Sequence, residues 1–124
     1  MNTKYKGSLA VSQCIAKLYS LGHEVFLPIG DRKPYDLIFD DHGHLYRVQV
    51  KYAGKSLKGK HSAYLRITGG NQSFNHAQKY KDDDFDYLYI FTSDHRHYLI
   101  KWNKLKIRNE ISIDHKKYNK YLIK

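Results

Sequence analysis

The stretch that decides the fold is PYDLIFD, residues 34–40, which continues through the turn Asp41-His42-Gly43-His44 into LYRVQVKY, residues 45–52. Both runs alternate apolar and polar residues and therefore predict the two strands of a hairpin. Successive side chains of a strand point to opposite faces. The second run thus places its apolar residues on one face and Arg47, Gln49 and Lys51 on the other.

The polar face of this hairpin has two interpretations. Most alternating hairpins simply expose a solvated polar face, and a salt bridge of Asp36 with Lys51 would be part of such a surface. Alternatively, Asp36 opens one strand beside the amide of Gln49 and the ammonium of Lys51 on its neighbour. Polar groups of this kind are costly to bury without a purpose, so the grouping indicates a functional site.

Asp36, followed thirteen residues later by Gln49-Val50-Lys51, resembles the Asp…(Asp/Glu/Gln)-x-Lys signature of the PD-(D/E)XK nuclease superfamily. Pro34-Tyr35-Asp36 takes the place of Pro-Asp, with one residue inserted. Together with the lead-in Val25–Asp31 and Tyr35–Ile38, the sequence is similar to the group I intron-encoded homing endonucleases, from Lys6-Gly7 to the strands near residues 86–101. The resemblance implies an α/β fold, with a restriction-endonuclease-like core in which an N-terminal helix packs on a central mixed sheet.

The resemblance also implies roles at the site. Asp36 would be an anionic ligand of Mg²⁺, for which Mn²⁺ can substitute, with the side-chain oxygen of Gln49 and the carbonyl of Val50 as neutral ligands. Lys51 would hold the attacking water or stabilise charge on the phosphate. The family usually has a catalytic Glu in its first helix, and this chain has Val11 at that position. Asp36 then remains the one charged ligand of the family set.

Length and charge narrow the class of protein. The 124 residues predict a single domain spanning 1–124. The net charge of +10 and the pI of about 9.6 favour nucleic acid as partner over acidic lipid or no partner. The single cysteine, Cys14, allows no internal disulfide and indicates a reducing, cytoplasmic location. No apolar run approaches the roughly 18 residues of a membrane span.

The remaining elements follow from periodicity. An apolar stripe that includes Val11, Cys14 and Leu18 predicts a helix over 4–21, which Gly22 ends. Further strands are predicted at Glu24–Ile29, Ala63–Ile67, 86–92 and 98–102, and helices at 74–81 and about 114–122. The pairs His42/His44 and His95/His97 have a spacing that zinc sites also use, but both border turns, where polar residues are common.

Basic residues supply candidate contacts to DNA. Phosphate-binding candidates are Lys55, Lys58 and Lys60 in a glycine-containing loop, and Lys101 and Lys104 in and after the last strand. Base-reading candidates are Arg66, Asn71 and Gln72.

Taken together, the sequence predicts a magnesium-dependent, site-specific endonuclease of double-stranded DNA, of the homing type. One small domain carries one active site, so cutting both strands predicts a homodimer or homotetramer. Two alternatives stay open. One is a structure-selective nuclease, such as a junction resolvase. The other is a nuclease-derived DNA-binding module without catalysis, which Val11 favours.

Overall fold

A computed structural model describes residues 1–67 and 78–124 of the chain. Its elements, in chain order, are helix α1 (Thr3–Ser20) and strands β1 (Glu24–Phe26), β2 (Leu37–Asp41), β3 (His44–Lys55), β4 (His61–Tyr64), β5 (Arg66–Ile67), β6 (Gln78–Lys79), β7 (Tyr87–Thr92), β8 (His97–Lys101) and β9 (Glu110–Ser112). Two short 3-10 helices, Trp102–Lys104 and Lys116–Tyr121, follow β8 and β9.

Both ends of α1 are capped by the residues that its sequence places there. The side chain of Asn2 accepts a hydrogen bond from the amide of Tyr5 at 2.8 Å. At the other end Gly22 adopts a φ of 93°, and the amide of His23 donates to the carbonyl of Leu18 at 3.1 Å. This Schellman motif ends the helix where the glycine predicts it. No helix in the described residues is long and apolar enough to cross a membrane.

The hairpin of β2 and β3 forms around a two-residue turn. His42 and Gly43 have φ values of 52° and 93°, as the tight turns that match strand twist require. The amide of Gly43 donates to a carboxylate oxygen of Asp40 at 2.7 Å and fastens the turn. The pairing of Asp41 with His44 sets a register in which Leu37 faces Val48. The predicted hairpin is therefore confirmed, with β3 four residues longer than the run that predicts it.

The sheet is mixed and branches at β3. The strands β1, β2 and β3 are antiparallel neighbours, β7 pairs with β3 in parallel, and β8 closes that side antiparallel to β7. The far end of β3 pairs instead with β4, which pairs with β9. Strands β5 and β6 form a separate two-stranded sheet. Helix α1 packs mainly on β3, so the predicted architecture of an N-terminal helix on a central mixed sheet is confirmed.

Two apolar clusters cover the two faces of this sheet. The helix-side core consists of Ala10, Cys14, Leu18, Leu37, Phe39, Val48, Val50, Tyr89 and Phe91. The tail-side core, on the opposite face, includes Tyr80, Phe85, Leu88, Ile90, Trp102, Ile111, Ile113 and Tyr118. Strand β7 contributes alternate residues to both cores and is buried on both faces, which explains its nearly continuous apolar sequence.

Several predicted boundaries are wrong. The first strand ends at Phe26, three residues before its predicted end, and the strand predicted at Ala63–Ile67 divides into β4 and β5. Half of the predicted helix at 74–81 lies outside the described residues, and its described half includes strand β6. The predicted C-terminal helix is a short 3-10 helix, Lys116–Tyr121, preceded by the unpredicted strand β9.

A partly exposed ion-pair network holds the β4–β9 branch against the start of β8. Asp114 accepts hydrogen bonds from the amide of His61 at 2.7 Å and from the guanidinium of Arg96 at 2.6 Å. Arg96 also donates to both carboxylate oxygens of Asp94 at 3.0 Å. Burial alone would raise the pKa of Asp114, but the donors from His61 and Arg96 outweigh it and lower that pKa to about 2.

We predict that Asp114→Asn lowers the free energy of unfolding by about 1–2 kcal/mol at pH 7. The asparagine side chain keeps the shape of the aspartate but not the negative charge that strengthens its hydrogen bonds. The folded pKa of Asp114 lies below the unfolded value of about 3.9, so its carboxylate stabilises the fold above that pH. The difference between the proteins should shrink as pH falls from about 4 to about 2. Urea unfolding at several pH values measures it.

The control is Asp82→Asn, which removes an ion pair between Arg108 and a side chain that is 88% exposed. Exposed pairs contribute little, so this variant should unfold almost as the parent does. Equal loss in both variants, or a loss at Asp114 that does not depend on pH, would contradict the assignment.

Candidate active site

The candidate site forms where β2 parts from β3. The amide of Asp36 donates to the carbonyl of Val48 at 2.8 Å, just before the first β2 pair. Two residues further along β3, the amide of Val50 donates to the carboxylate oxygen Oδ2 of Asp36 at 2.8 Å. A side chain thus replaces the backbone partner that β2 no longer supplies to β3. Since the N–H and C=O of a strand residue point to the same side, the carbonyl of Val50 faces the same opening.

Gln49 lies beside Asp36 and is only 9% exposed. The amide orientation that satisfies all neighbours points its nitrogen at the carbonyl of Pro34, at 2.8 Å, and at Oδ2 of Asp36, at 3.3 Å. Its oxygen then accepts from the hydroxyl of Tyr80 at 3.1 Å. The amide of Gln49 therefore supports Asp36 as a donor, and one lone pair of its oxygen remains for another ligand.

Lys51 completes the predicted trio on the same face of β3. Its ammonium donates to the carbonyl of Arg66 at 3.1 Å and lies 5.2 Å from the ring centroid of Tyr80. Lys51 and Asp36 are both in the described part of the chain, and no direct ion pair joins them. The surface salt bridge that was the alternative interpretation of this pair is therefore not formed.

Burial perturbs both charged groups of the trio. It raises the pKa of Asp36, which the hydrogen bond from Val50 and the positive charge of Lys51 only partly offset. It also lowers the pKa of Lys51, against the opposing effect of the Asp36 charge. Groups shifted by burial toward their neutral forms, next to one another in an opening of the sheet, are typical of sites that do chemistry.

Val11 lies on the face of α1 that packs on the sheet. Cys14 is fully buried, and its thiol pKa is raised by burial and further by the negative charge of Asp36. Val11 lies one turn earlier on the same stripe and packs on the helix-side core that includes Val50. An apolar side chain therefore occupies the helix position where the family usually has its Glu.

The atoms that could bind a hard divalent cation here are oxygens, as such cations prefer, but only one of these groups is negatively charged. This donor set consists of a carboxylate oxygen of Asp36, the carbonyl of Val50 and the side-chain oxygen of Gln49. No cluster of three or more His, Cys, Asp or Glu side chains suited to a metal exists in residues 1–67 and 78–124. His42 and His95 each have a positive φ, so the turns account for one member of each histidine pair.

The three lysines predicted to bind phosphate surround the hairpin between β3 and β4. Lys55 ends β3, and the exposed Lys58 and Lys60 lie in its loop. The loop is well defined, because Ser56 donates to the carbonyl of Lys60 at 2.7 Å and Gly59, with a φ of 81°, donates to that of Ser56 at 2.9 Å. These bonds fix the backbone from which the three lysine side chains extend.

The other predicted DNA contacts are scattered. Arg66 donates to the side chain of Asn109 at 3.2 Å, while its carbonyl holds Lys51. Lys101 is exposed at the end of β8, and Lys104 is exposed in the following 3-10 helix. Asn71 and Gln72 lie outside the described residues. Of the base-reading candidates, Arg66 alone is described, and it borders the candidate site.

Tyr80 is a site residue that the sequence did not indicate. It contacts Gln49 through its hydroxyl and Lys51 through its ring, and it is 6% exposed. It follows β6, at a sequence distance of 31 residues from Gln49 (80 minus 49). As one of twelve tyrosines beside an ambiguous polar segment, it carries no local signal that distinguishes it.

Comparisons with known proteins identify the family of the chain. A sequence profile of the family described as PD-(D/E)XK endonuclease matches residues 1–120. The chain therefore belongs to the PD-(D/E)XK endonuclease family. Among solved structures, it is similar to a bacterial homing endonuclease, I-Ssp6803I, with 30% sequence identity and a TM-score of 0.82, over 96% of this chain and 82% of that chain. The search of curated protein sequences gave no significant match.

The comparisons support the fold that the sequence resemblance implied. The family profile and the structural similarity each cover nearly the whole chain, including the hairpin and α1. The α/β core with its N-terminal helix is thus the PD-(D/E)XK fold. Membership of this family establishes the nuclease class of the chain.

Proposed function

We propose that this chain is a site-specific endonuclease of the homing type that cuts both strands of a DNA target with a divalent metal ion. The observation that carries the proposal is the pair of oppositely charged, partly buried groups, Asp36 and Lys51, gathered where β2 leaves β3. The similarity to a homing endonuclease supports the type of target.

Asp36 and the carbonyl of Val50, with Gln49 beside them, would hold a divalent cation such as Mg²⁺ or Mn²⁺. The cation, when bound, supplies Lewis-acid polarisation of the scissile phosphate and of the attacking water. The amide of Val50 fixes Oδ2 of Asp36, so this carboxylate has one oxygen directed by the protein and one left for a ligand. A preset carboxylate loses little conformational freedom when it binds.

Lys51 acts on the phosphate side of the reaction. Its ammonium is anchored on the carbonyl of Arg66, which uses one of its three N–H donors. The remaining donors can orient the attacking water or stabilise the charge that develops on the phosphate oxygens. Because burial lowers the pKa of Lys51, its proton is also easier to lose than that of an exposed lysine.

Affinity for DNA comes from the basic surface. The net charge of +10 and the lysines of the β3–β4 hairpin attract phosphate, which positions the duplex without reading its sequence. Arg66, which borders Lys51, is suited to base contacts. One chain supplies one such site, so cutting both strands requires a second copy, and a homodimer or homotetramer fits a symmetric target.

A second candidate function is DNA binding without cleavage, and Val11 favours it. A valine at the helix position supplies no ligand, so Asp36 bears the negative charge of the donor set alone. A structure-selective nuclease uses the same site on a different substrate. Cleavage of linear DNA compared with four-way junctions distinguishes the two nucleases, and binding with no cleavage identifies the module.

The test of the function is metal-dependent cleavage of a random-site DNA library by the parent and two variants. Asp36→Ala and Lys51→Ala should each abolish cleavage, since one removes the charged ligand and the other the cation near phosphate. Asp36→Ala should keep or slightly raise DNA affinity in metal-free buffer, because it removes negative charge that faces phosphate. Asp31→Ala, an exposed change in the loop before the hairpin, is the control. Parent-like cutting by either site variant contradicts the assignment.

We predict that Val11→Glu raises the cleavage rate at least about tenfold, which corresponds to about 1.4 kcal/mol of transition-state stabilisation. The new carboxylate would lie one turn from Cys14, whose thiol pKa responds to the charge of Asp36, and would add the missing charge to the donor set. In EDTA the variant should be less stable than the parent by about 1–3 kcal/mol, since it half-buries a carboxylate without a partner. Mg²⁺ should narrow that gap, because a ligand of the folded state stabilises it.

Val11→Gln is the matched control, with the same shape and no charge. It should lose similar stability in EDTA, gain none of it back from Mg²⁺, and cut no faster than the parent. Melting temperatures in matched Mg²⁺ and EDTA buffers and cleavage rates on one DNA substrate give the result. A Val11→Glu protein that folds and binds DNA but behaves like the Gln variant would show that position 11 does not face the site.

The hairpin lysines should determine part of the salt dependence of DNA binding. Replacing Lys55, Lys58 and Lys60 together by Ala should flatten the slope of log K against log salt by up to about 2.7, near 0.9 for each lost phosphate contact. The control removes three exposed lysines from the chain ends, Lys4, Lys120 and Lys124, with the same loss of net charge. Equal flattening in both triple variants would mean that overall charge, and not the hairpin, sets the slope.

A further inference from the structure

We infer that Tyr80 is a positioning residue of the candidate active site. Its hydroxyl fixes which end of the Gln49 amide faces Asp36, and its ring supports the ammonium of Lys51. The effect of Tyr80 on cleavage rests on the proposed function, while its effect on the geometry of Gln49 and Asp36 does not.

The ring of Tyr80 is held in place by aromatic neighbours. Its centroid lies 5.1 Å from that of Phe85 and 6.2 Å from that of Trp102, with interplanar angles of 81° and 89°. Trp102 is itself fixed, because its indole N–H donates to the carbonyl of Lys81 at 3.0 Å. Edge-to-face contacts of this kind favour one ring orientation. The hydroxyl of Tyr80 is therefore delivered to a defined point beside Gln49.

At that point the hydroxyl selects one of the two orientations of the Gln49 amide. The carbonyl of Pro34 can only accept, so it takes the amide nitrogen at 2.8 Å. From the other side the O–H of Tyr80 donates to the amide oxygen at 3.1 Å. Burial raises the pKa of Tyr80, so the group stays protonated and remains a donor. With both ends satisfied, the nitrogen of Gln49 is turned toward Oδ2 of Asp36 at 3.3 Å.

The same residue supports Lys51 through a different group. The ammonium of Lys51 lies 5.2 Å from the ring centroid of Tyr80, within the range of cation–π attraction. The carbonyl of Arg66 holds it from another direction at 3.1 Å. A partly buried ammonium needs such partners, because burial disfavours its charge. Tyr80 is thus the side chain that Gln49 and Lys51 share, and it couples their positions.

Removing the hydroxyl alone separates these two roles. Tyr80→Phe keeps the ring over Lys51 and the contacts with Phe85 and Trp102, but it leaves the Gln49 oxygen without its donor. The amide is then free to rotate, and Asp36 loses its second hydrogen-bond donor for part of the time. The side chain of Gln49 should therefore sample more than one orientation.

Tyr118→Phe is the matched control. Tyr118 lies in the same tail-side core and is 4% exposed, but its buried hydroxyl has no hydrogen-bond partner in the described residues. Each variant therefore loses the hydroxyl oxygen of a buried tyrosine in the tail-side core. They differ in whether that atom holds a site residue.

The experiment measures the side-chain amide signals of Gln49 by nitrogen NMR, and the exchange of its two amide protons with water, at one pH and without metal or DNA. In Tyr80→Phe the Gln49 signals should shift and its amide protons should exchange faster. In Tyr118→Phe both should stay at their parent values. Gln49→Met identifies the amide signals by their loss.

Cleavage supplies a second, independent readout. Under single-turnover conditions on bound DNA, Tyr80→Phe should lower the rate constant at least about tenfold, while the Kd for DNA changes less than about twofold. A purely structural role would lower the melting temperature but leave the Gln49 amide signals unchanged, and that result overturns the inference. If the parent itself does not cut DNA, the proposed function fails, and the NMR measurements still decide the role of Tyr80.

Discussion

The hydrogen bond from the amide of Val50 to the carboxylate of Asp36 is the interaction on which the site depends. Strand β2 pairs with β3 only as far as Leu37 and Val48, and in the described residues no strand pairs with this edge of β3 until β4 does at Gly54. A buried N–H without an acceptor would be costly, and Asp36 supplies the acceptor from its side chain. The opening that the departure of β2 creates therefore contains the carboxylate of Asp36, because the Val50 amide needs it as an acceptor. The other site groups line this opening because β3 carries them.

The same opening imposes a conflict between stability and chemistry. Asp36 and Lys51 would each be more easily accommodated in water, as the directions of their pKa shifts show. The chain offsets this with directed donors and acceptors: the amide of Val50, the amide of Gln49, and the carbonyl of Arg66. What it does not offset is the shortage of negative charge. With Val11 on the helix, the proposed cation would meet one carboxylate, and the two proposed functions, DNA cleavage and DNA binding alone, differ in whether one carboxylate suffices.

The hairpin and α1 could be predicted from sequence because their signals are local. Alternation over 34–52, a His-Gly pair at the turn and a glycine after an apolar stripe each specify a conformation within a few residues. The grouping of Asp36, Gln49 and Lys51 could also be predicted, because the same alternation tells which residues of the two strands lie side by side. The C-terminal region was not, since Glu110–Ser112 become a strand only because β4 offers them an edge. Tyr80 was invisible for the same reason: its partners are distant in sequence, and their proximity arises from tertiary packing.

The buried Cys14 provides a built-in measure of how tightly α1 is held. Thiols react with alkylating reagents as thiolates, and both the enclosure of this sulfur and the nearby Asp36 carboxylate suppress that form. Because this thiol is buried, it becomes reactive only when the helix separates from the sheet. Because it is the single cysteine of the chain, all labelling comes from this one site. Its alkylation rate in the folded protein therefore reports the free energy of that opening directly, without any change to the sequence. Ligands that draw α1 and β3 together would slow the labelling, so a thiol reagent can detect them.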